Sequence, residues 1–542
     1  MVMWRRIGWG ALLACWGIVA VALRCWQLEG QWLIDDEWHA VHRLLSGERW
    51  TDLLLAVGVA DFSVPQTLFY KLLTRYMVVD ELVMRAPMLL AGLALVGAGA
   101  WWMWRARGAL EASLFGGLLA VSPVLIYQSR NARPYAITLF LTWVALWALV
   151  RWRATEDRRF AVLYAVCAVI ACWFHAAVAP FVLLPLVWVW GERVHFALRH
   201  GDWRAPWRTT VLGGAVAVGV GILTVWPAWL NRELMATRAG MDLPTVDTFV
   251  GFAHLLVGHE SAWVVGALLL PGVWGGWLAW RAREPLAGLA VVGFAGVVLS
   301  ILVMRPAWVQ HPMTFGRYVL PVWPLVLGCV ALGVADLARR LWESGGVWRV
   351  VAPGLLALPL LCLTGEVVRE VLRTPGSLML HSWYWFDFRP WKNPVREDFR
   401  SLSRSSFWDD LGKRAPGSVR VAVAGHALES YTLADVAWLG GHRQYLLSGQ
   451  RQGLCGSPPY AGEVGAGLVR QGKGLRLRNA VDLADDAALR RAGVDYVAFN
   501  RNLFPGRGLE VLDIETCVEK LRLRYGAPVF EDPHLVVFAV FR

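Results

Sequence analysis

Apolar segments of the length that a transmembrane helix needs recur along this chain up to about residue 365. Charged residues make up only 17% of the sequence and hydrophobic residues 57%, so the chain is too poor in charge to cover a folded surface that faces water. Helices satisfy their own backbone polar groups and are therefore a structure that lipid permits. The sequence predicts a polytopic α-helical membrane protein with about eleven spans, near residues 7–25, 81–104, 109–127, 134–150, 160–175, 176–190, 209–229, 262–280, 285–304, 318–336 and 350–365.

The arginines between these spans indicate how the chain is oriented. Cytoplasmic connections of membrane proteins carry an excess of arginine and lysine, which accounts for the net charge of +12 without a nucleic-acid partner. With the N-terminus in the cytoplasm, alternate connections hold Arg105, Arg107, Arg151, Arg153, Arg158, Arg159, Arg193, Arg199, Arg204, Arg208, Arg281, Arg283, Arg339, Arg340 and Arg349. The outside loops are then residues 26–80, 128–133, 230–261 and 305–317, and the predicted location is the bacterial inner membrane.

The character of the sequence changes after about residue 375. Strand-like and helical runs alternate there, at Val419–Val423, Leu428–Leu439, Asp485–Ala492, Asp495–Asn500 and Leu535–Phe541. We therefore predict two domains, a transmembrane domain over residues 1–365 and a soluble periplasmic α/β domain over residues 366–542. Cys455 and Cys517 lie in the second domain, where an oxidising compartment would allow them to form a disulfide.

The first outside loop, residues 26–80, is not purely polar. Its apolar side chains from Val64 onward are Leu68, Phe69, Leu72, Leu73, Tyr76 and Met77, while Thr67, Lys71 and Arg75 lie on another face. This spacing predicts an amphipathic helix. We expect the helices of this loop to lie in the membrane interface rather than to cross the bilayer.

Three carboxylates, Asp35, Asp36 and Glu37, follow the first span closely. Mutual repulsion and partial desolvation at the membrane edge suit a general base that works near neutral pH. The alternative is an acidic cluster that marks a non-cytoplasmic loop or caps a helix beginning at Trp38. The sequence leaves both interpretations open.

Three arginines lie on the outside, against the positive-inside rule. Arg130 and Arg133 stand in the very short loop between Tyr127 and Tyr135, and Arg317 ends the loop at residues 305–317. Helical spacing would place Arg130 and Arg133 on one face, and guanidinium groups suit a phosphate or pyrophosphate. The alternative is that these side chains reach for lipid headgroups and anchor the protein at the interface.

His175 stands alone at the outer end of a predicted span. A histidine at such a position either packs in the interface or orients a substrate hydroxyl. Histidines, cysteines and acidic residues at metal-ligand spacing do not occur in the sequence, so we predict no metal site.

Taken in order, these features resemble the GT-C glycosyltransferases that use polyprenyl-phosphate sugars. That group includes the protein O-mannosyltransferases, the aminoarabinose transferases that modify lipid A and the Rgt-like bacterial transferases. Asp36-Glu37 resembles the acidic motif of their first periplasmic loop. The other matching segments are 61–70 (DFSVPQTLFY), 81–90 (ELVMRAPMLL), 128–136 (QSRNARPYA), His175, and Arg317-Tyr318 with Pro321 and Pro324. The resemblance extends over about residues 7–335.

The resemblance implies a GT-C fold and an inverting, metal-independent transfer of a sugar from polyprenyl phosphate to an acceptor hydroxyl on the extracytoplasmic face. The implied site residues are Asp36, Glu37 and Asp35 for catalysis and Arg130, Arg133, Arg317, His175, Asp61 and Lys71 for substrate and phosphate binding. No cofactor is expected beyond the lipid-linked donor. The expected partners are that donor, membrane lipid and a glycan, lipid or protein acceptor.

Two departures limit what the resemblance transfers. Ser63-Val64-Pro65 stands where the family has a histidine or lysine with two prolines, and residues 128–133 hold no carboxylate, unlike the aminoarabinose transferases. The donor sugar is therefore not taken from that branch. Two other functions stay open, namely a polymerase of polyprenyl-linked glycans and a transporter or flippase of lipid-linked sugars. A transporter would favour charges deep inside spans and inverted repeats, which the sequence does not show.

Overall fold

The structure is a computed structural model. It describes residues 2–26, 28, 37, 49–57, 63–77, 79, 81–236, 239–240, 242–259, 261–364, 405–415, 417–424, 444–450, 454, 468–471, 474–477, 480–501, 514–533 and 535–540. The chain forms two compact units. The first comprises Met1–Gln31, Arg85–Trp229 and Arg238–Arg389, and the second comprises Trp32–Met84, Leu230–Thr237 and Pro390–Arg542.

Helices account for most of the described residues up to 364. They are α1 (Val2–Cys25), α2 (Trp50–Leu54), α3 (Val64–Leu73), α4 (Glu81–Arg107), α5 (Ala109–Val121), α6 (Pro123–Ser129), α7 (Tyr135–Thr155), α8 (Arg158–Phe174), α9 (Ala179–His200), α10 (Arg204–Val220), α11 (Trp226–Leu230), α12 (Arg232–Ala236), α13 (Val246–Val257), α14 (Ala262–Arg281), α15 (Pro285–Met304), α16 (Pro312–Val319), α17 (Trp323–Ser344) and α18 (Trp348–Thr364). A π-helical segment, Gly221–Val225, joins α10 to α11. A helix therefore lies at each predicted span.

Six helical stretches among the described residues are long and apolar enough to cross a membrane, and a seventh if α5 and α6 together form one bent span. Shorter apolar helices cover Gly10–Cys25, Val246–Val257, Ala290–Met304 and Trp348–Leu363. The chain is thus a multi-pass helical membrane protein, as predicted, while the number of about eleven spans stays a prediction.

The helical path bends by 59° between α5 and α6. Pro123 opens α6, and a proline has no backbone N–H to continue the hydrogen bonds of the preceding helix. Ser122 lies at the break in an extended conformation, and its Oγ accepts a hydrogen bond of 2.9 Å from Nε1 of Trp323. The break turns α6 and the residues after it away from the axis of α5.

Helices α14 and α17 pack with their backbones in direct contact. A Cβ atom at Gly275 would lie 1.9 Å from the carbonyl oxygen of Cys329, and one at Gly333 would lie 1.9 Å from that of Pro271. Small residues allow such close approach between helices in membranes. Glycine is therefore required at both positions.

Ion pairs connect the ends of helices that the arginine pattern places on one side of the membrane. They are Arg107–Glu284 at 2.8 Å, Arg153–Glu192 at 3.1 Å, Arg208–Glu156 at 3.3 Å, Arg193–Glu156 and Arg339–Glu111. Glu111 is buried at the start of α5, and Arg339 lies near the end of α17. The predicted cytoplasmic connections are therefore held together by several charged contacts.

The second unit contains a six-stranded sheet. Its strands are β1 (Arg420–Ala424), β2 (Tyr445–Gln450), β5 (Ala480–Asp482), β6 (Tyr496–Asn500), β7 (Phe530–Glu531) and β8 (Leu535–Ala539), in the order β5-β2-β1-β6-β8-β7. Strands β5, β2, β1 and β6 are parallel to one another. Strand β8 pairs with β6 in antiparallel orientation, and β7 pairs with β8 in the same way. A separate hairpin pairs β3 (Leu468–Gln471) with β4 (Gly474–Leu477).

Helices cover this sheet and complete an α/β arrangement. They are α19 (Ser406–Gly412), α20 (Asp486–Arg491) and α21 (Ile514–Tyr525). Val518 and Leu521 of α21 join the core with Phe499 and Phe538 of the strands. The predicted strands and the helix predicted at Asp485–Ala492 are confirmed, whereas the helix predicted at Leu428–Leu439 and the boundary near residue 365 lie outside the described residues.

The cysteines are divided between the two parts of the sequence. Cys517 is disulfide-bonded and fully buried in the core of the sheet. The thiols of Cys15, Cys25, Cys167, Cys172, Cys329 and Cys362 are free. Cys455, the partner that the sequence predicts for Cys517, lies outside the described residues.

Helix α3 confirms the helix predicted from Val64, and its buried face mixes polar side chains with the apolar Val64, Pro65 and Tyr70. Gln66 and Thr67 are buried, and Gln66 donates a 2.8 Å hydrogen bond to the hydroxyl of Tyr70. Phe69 and Leu72 are 40% and 43% exposed. Large apolar side chains exposed on one face are typical of a helix in contact with lipid.

Candidate functional site

The polar turn between α6 and α7 is buried throughout. Every residue from Tyr127 to Tyr135 is buried, including Arg130 and Arg133. Loops ordinarily run over the protein surface because their polar groups need water. A buried turn with two guanidinium groups is therefore a candidate for binding an anion.

Two arginines from distant parts of the sequence converge on one aromatic ring. The guanidinium carbons of Arg133 and Arg317 each lie 5.8 Å from the centre of the Tyr135 ring. His175 meets the same ring edge-on, with 5.3 Å between ring centres, and lies 6.3 Å from the ring of Tyr318. The first unit thus brings together Arg133, Arg317 and His175, all of which the sequence predicts as site residues.

Several buried polar side-chain atoms of the first unit have no hydrogen-bond partner among the residues that the structure describes. They are Oε1 of Gln128, Oδ1 of Asn131, Nε1 of Trp173 and Nδ1 of His175. The amide nitrogen of Asn131 donates a 3.0 Å hydrogen bond to the hydroxyl of Tyr127, which fixes the side chain. Buried polar atoms are nearly always paired, so these atoms are available to a ligand rich in hydroxyl groups.

Sequence reasoning missed Gln128, Asn131 and Trp173. The first two stand between strongly apolar helices, and an amide in such a place is a signal in its own right, because an amide is costly to bury without a partner. Trp173 gave no comparable signal, because tryptophans near the ends of apolar runs are common in membrane proteins.

Arg130 contacts the end of α1. Its Nη1 atom donates hydrogen bonds of 3.2 Å and 2.8 Å to the carbonyl oxygens of Leu23 and Trp26. Burial lowers the pKa of Arg130 to about 10, and the nearby charge of Arg85 acts in the same direction. The guanidinium still carries its charge at neutral pH, and part of its hydrogen-bonding capacity is committed to α1.

The other predicted site residues belong to the second unit, and most are not described. Asp35, Asp36 and Asp61 lie outside the described residues, and Glu37 is fully buried. The Nζ atom of Lys71 lies 5.8 Å from the centre of the Trp50 ring. The roles assigned to these residues stay predictions from the sequence.

The structure is similar to solved structures of ArnT from Cupriavidus metallidurans. The apo structure aligns with a TM-score of 0.53 at 14% identity, over 99% of this chain and 98% of that chain. The structure of the same protein bound to undecaprenyl phosphate aligns with a TM-score of 0.50 at 14% identity, over 100% and 99% of the two chains. The chain has the GT-C fold.

This similarity is one of fold. No protein-family model matches the sequence, and no curated protein matches it either. The structural similarity to ArnT confirms the GT-C fold that the sequence motifs predict, together with a C-terminal region that holds a small sheet. Among the described residues, no group of three or more His, Cys, Asp and Glu residues is arranged to hold a metal ion, and the metal-independent reaction stays a prediction.

His175 is held neutral by its surroundings. It lies in the connection between α8 and α9, where burial first of all, and then the charges of Arg133 and Arg317, lower its pKa to about 3. A neutral imidazole can exchange hydrogen bonds with a hydroxyl without adding a third positive charge beside the two arginines.

We expect His175 to make the native protein less stable as the pH falls. Its native pKa of about 3 lies below the ordinary value of 6.5, so the unfolded chain binds a proton in this interval before the native protein does. The free energy of unfolding is therefore highest above about pH 6.5, and protonation of His175 in the unfolded chain lowers it as the pH falls toward 3. The measurement is the melting temperature of wild type and His175→Asn between pH 7.5 and 5.

Burial and the charge of Arg317 also lower the pKa of His311, so His311 adds its own pH dependence to both proteins. The test is therefore the difference between the melting temperatures of wild type and His175→Asn at each pH. The melting temperature of wild type should fall more steeply than that of His175→Asn. Parallel curves would show that the pKa of His175 is the same in the folded and unfolded states.

Proposed function

We propose that this protein is an integral membrane glycosyltransferase that moves a sugar from a polyprenyl-phosphate donor to an acceptor hydroxyl. The observation that carries the proposal is the convergence of Arg133 and Arg317 on the ring of Tyr135. It occurs in a fold shared with ArnT, a protein whose structure holds undecaprenyl phosphate. The proposed donor therefore has a lipid phosphate for the arginines and a sugar for the neighbouring polar groups.

The arginines act on the phosphate. Guanidinium groups form paired, charge-assisted hydrogen bonds with phosphate oxygens. The turn at residues 127–135 is buried, and charge–charge attraction is stronger away from bulk water. Arg133 and Arg317 would thus bind the donor and stabilise the negative charge that develops on the leaving phosphate.

The polar atoms of Gln128, Asn131 and Trp173 act on the sugar. Oε1 of Gln128 and Oδ1 of Asn131 can accept hydrogen bonds from sugar hydroxyls, and Nε1 of Trp173 can donate one. His175 is neutral and contacts Tyr135, which suits it to orient a hydroxyl beside the phosphate. These groups provide a basis for recognising a sugar without a carboxylate in the turn.

The reaction is a single displacement. The oxygen of the acceptor hydroxyl attacks the anomeric carbon and forms the new glycosidic bond. The bond from that carbon to the phosphate oxygen breaks, and its electron pair leaves with polyprenyl phosphate. Asp36, assigned from the acidic motif, takes the proton of the hydroxyl, and the configuration at the anomeric carbon inverts. Glu37 would bind the sugar or the acceptor, and Asp61 and Lys71, assigned from the resemblance, would bind the substrate or its phosphate.

Two observations support a reaction on the extracytoplasmic face. The arginine pattern places the turn at residues 128–133 outside. Cys517 is disulfide-bonded, and disulfides persist in oxidising compartments such as the periplasm.

We expect Arg317→Met and Arg133→Met each to weaken binding of undecaprenyl phosphate about 10- to 100-fold, since a hydrogen bond to a charged group contributes about 1.5–3 kcal/mol. Affinity is measured on the full-length protein in lipid nanodiscs. Arg281→Met is the matched control, because the Arg281 guanidinium also lies over an aromatic ring, that of Trp277 at 4.7 Å.

The control variant should bind the lipid as wild type does. Equal affinity of wild type, Arg317→Met and Arg133→Met would remove these arginines from the phosphate site. Tight lipid binding with no transfer to any envelope acceptor would favour a transporter of lipid-linked sugars.

A further inference from the structure

The break between α5 and α6 leaves backbone carbonyls that the helix itself does not satisfy. Pro123 has no N–H to donate to the carbonyl of Leu119, four residues earlier. Arg24, in the last turn of α1, supplies the missing donors. Its Nη2 atom donates to the oxygen of Leu119 at 3.0 Å, and its Nη1 atom donates to that of Ala120 at 2.9 Å.

The same guanidinium also contacts the other arm of the bend. Nε of Arg24 donates a 3.2 Å hydrogen bond to Oγ of Ser129, the last residue of α6. That hydroxyl in turn donates to the carbonyl oxygen of Leu125 at 2.6 Å. One side chain is therefore bonded to the end of α5 and to the end of α6, and this fixes the angle between them.

Arg130 completes a reciprocal arrangement. It follows Ser129 directly, and its Nη1 atom donates to the carbonyls of Leu23 and Trp26, which flank Arg24 in the sequence. The end of α1 and the end of α6 thus each hold the other through an arginine. We call this set, Arg24, Ser129 and Arg130, the arginine clamp.

The clamp lies directly beside the candidate phosphate site. Arg24 is fully buried, and its guanidinium offsets the loss of hydration through its hydrogen bonds to Leu119, Ala120 and Ser129. The clamp ends three residues before Arg133, so the bend that it holds also positions the turn. Helix α4 also approaches closely, since a Cβ at Gly92 would lie 2.0 Å from Oγ of Ser129.

We infer that Arg24 is a positioning residue that sets the angle of the α5–α6 bend and thereby the place of the turn that carries Arg133. The expected effect of Arg24 on lipid binding rests on the proposed function. The clamp itself does not depend on that function. Arg24 acts through the backbone of α5 and through Ser129, and it is not assigned a contact with substrate.

The first test is hydrogen–deuterium exchange of residues 119–135 in the full-length protein in nanodiscs. Arg24→Met should raise exchange in this segment, Ser129→Ala should raise it less, and Arg24→Lys should give an intermediate result. Arg339→Met is the matched control, because Arg339 pairs with Glu111 at the opposite end of α5. Unchanged exchange in both Arg24→Met and Ser129→Ala would overturn the clamp.

The second test is the affinity for undecaprenyl phosphate in the same nanodiscs. Arg24→Met should weaken binding at least about fivefold, Arg24→Lys should restore part of it, and Arg339→Met should stay within about twofold of wild type. Raised exchange with unchanged affinity in Arg24→Met would overturn the positioning role and leave a structural one. If wild type itself does not bind the lipid, the proposed function fails, and the exchange experiment still decides whether the clamp exists.

If Arg24→Met does not fold, Ser129→Ala decides both tests. It removes one hydroxyl, which accepts from Arg24 and donates to Leu125, and no charge, and a small hydroxyl deletion is tolerated more readily than loss of a buried arginine. Normal exchange together with normal affinity in Ser129→Ala would then overturn the inference.

Discussion

Asp36→Asn is expected to abolish glycosyl transfer while the protein still folds and binds polyprenyl phosphate. Loss of a general base typically costs a factor of about 100 to 10,000 in rate, and asparagine keeps the shape of the side chain without the capacity to accept a proton. The measurement is mass spectrometry of envelope glycans and polyprenyl-linked sugars from a strain that lacks the gene and carries either wild type or Asp36→Asn. Wild type should add the mass of one sugar to an envelope glycan.

Two further variants make the assignment specific. Asp35→Asn tests the neighbouring carboxylate, which the sequence leaves open as the base. Asp52→Asn is a control for the loss of an acidic residue, because Asp52 lies on the short helix α2 and bonds to Arg49 at 3.2 Å. A full glycan profile with Asp36→Asn and an empty one with Asp35→Asn would move the base to Asp35. A full profile with both would exclude either residue.

Gly275→Ala is expected to destabilise the protein strongly. The added methyl group would meet the carbonyl oxygen of Cys329 at 1.9 Å and the nitrogen of Gly333 at 2.6 Å. Both are backbone atoms, so the clash can be relieved only by moving α14 and α17 apart, and overpacking of this kind costs about 1–3 kcal/mol or more. The melting temperature of the solubilised protein should fall by about 1 °C for each kcal/mol lost, since the entropy of unfolding increases with chain length.

Gly276→Ala provides the control from the adjacent position. A Cβ there would make an ordinary contact of 3.8 Å with the sulfur of Cys329. Alanine has the higher helix propensity by about 1 kcal/mol, so this variant should melt at or above the temperature of wild type. Equal melting temperatures for Gly275→Ala and Gly276→Ala would mean that the backbones of α14 and α17 are not in contact.

The sequence predicts the membrane-spanning part well because the signals are local. A run of apolar residues in lipid has to form a helix, whatever its neighbours are. The strands near Val421, Val497 and Val537 are also evident from short β-branched runs. The order of the strands in the sheet is not evident, since it depends on pairing between residues far apart in sequence.

The candidate site is predictable only in part, for the same reason. Charge that contradicts the positive-inside rule identifies Arg133 and Arg317, but it cannot show that they meet at Tyr135. It also cannot distinguish Arg133, beside an aromatic ring, from Arg130, whose guanidinium bonds to carbonyls of α1. Arg24 shows this limit most clearly. In the sequence it is one more arginine at the end of an apolar run, and its role depends on a break in another helix.

Helix α3 has a consequence for anyone who wishes to produce parts of this protein separately. Its outward side chains Phe69 and Leu72 are continued by Tyr76 and Met77, which are 77% and 42% exposed. A fragment built on residues 63–77 would present this apolar surface to water, and such surfaces promote aggregation. A fragment kept without detergent or lipid would therefore need polar substitutions on this face, whereas the buried Gln66, Thr67 and Tyr70 should be left unchanged.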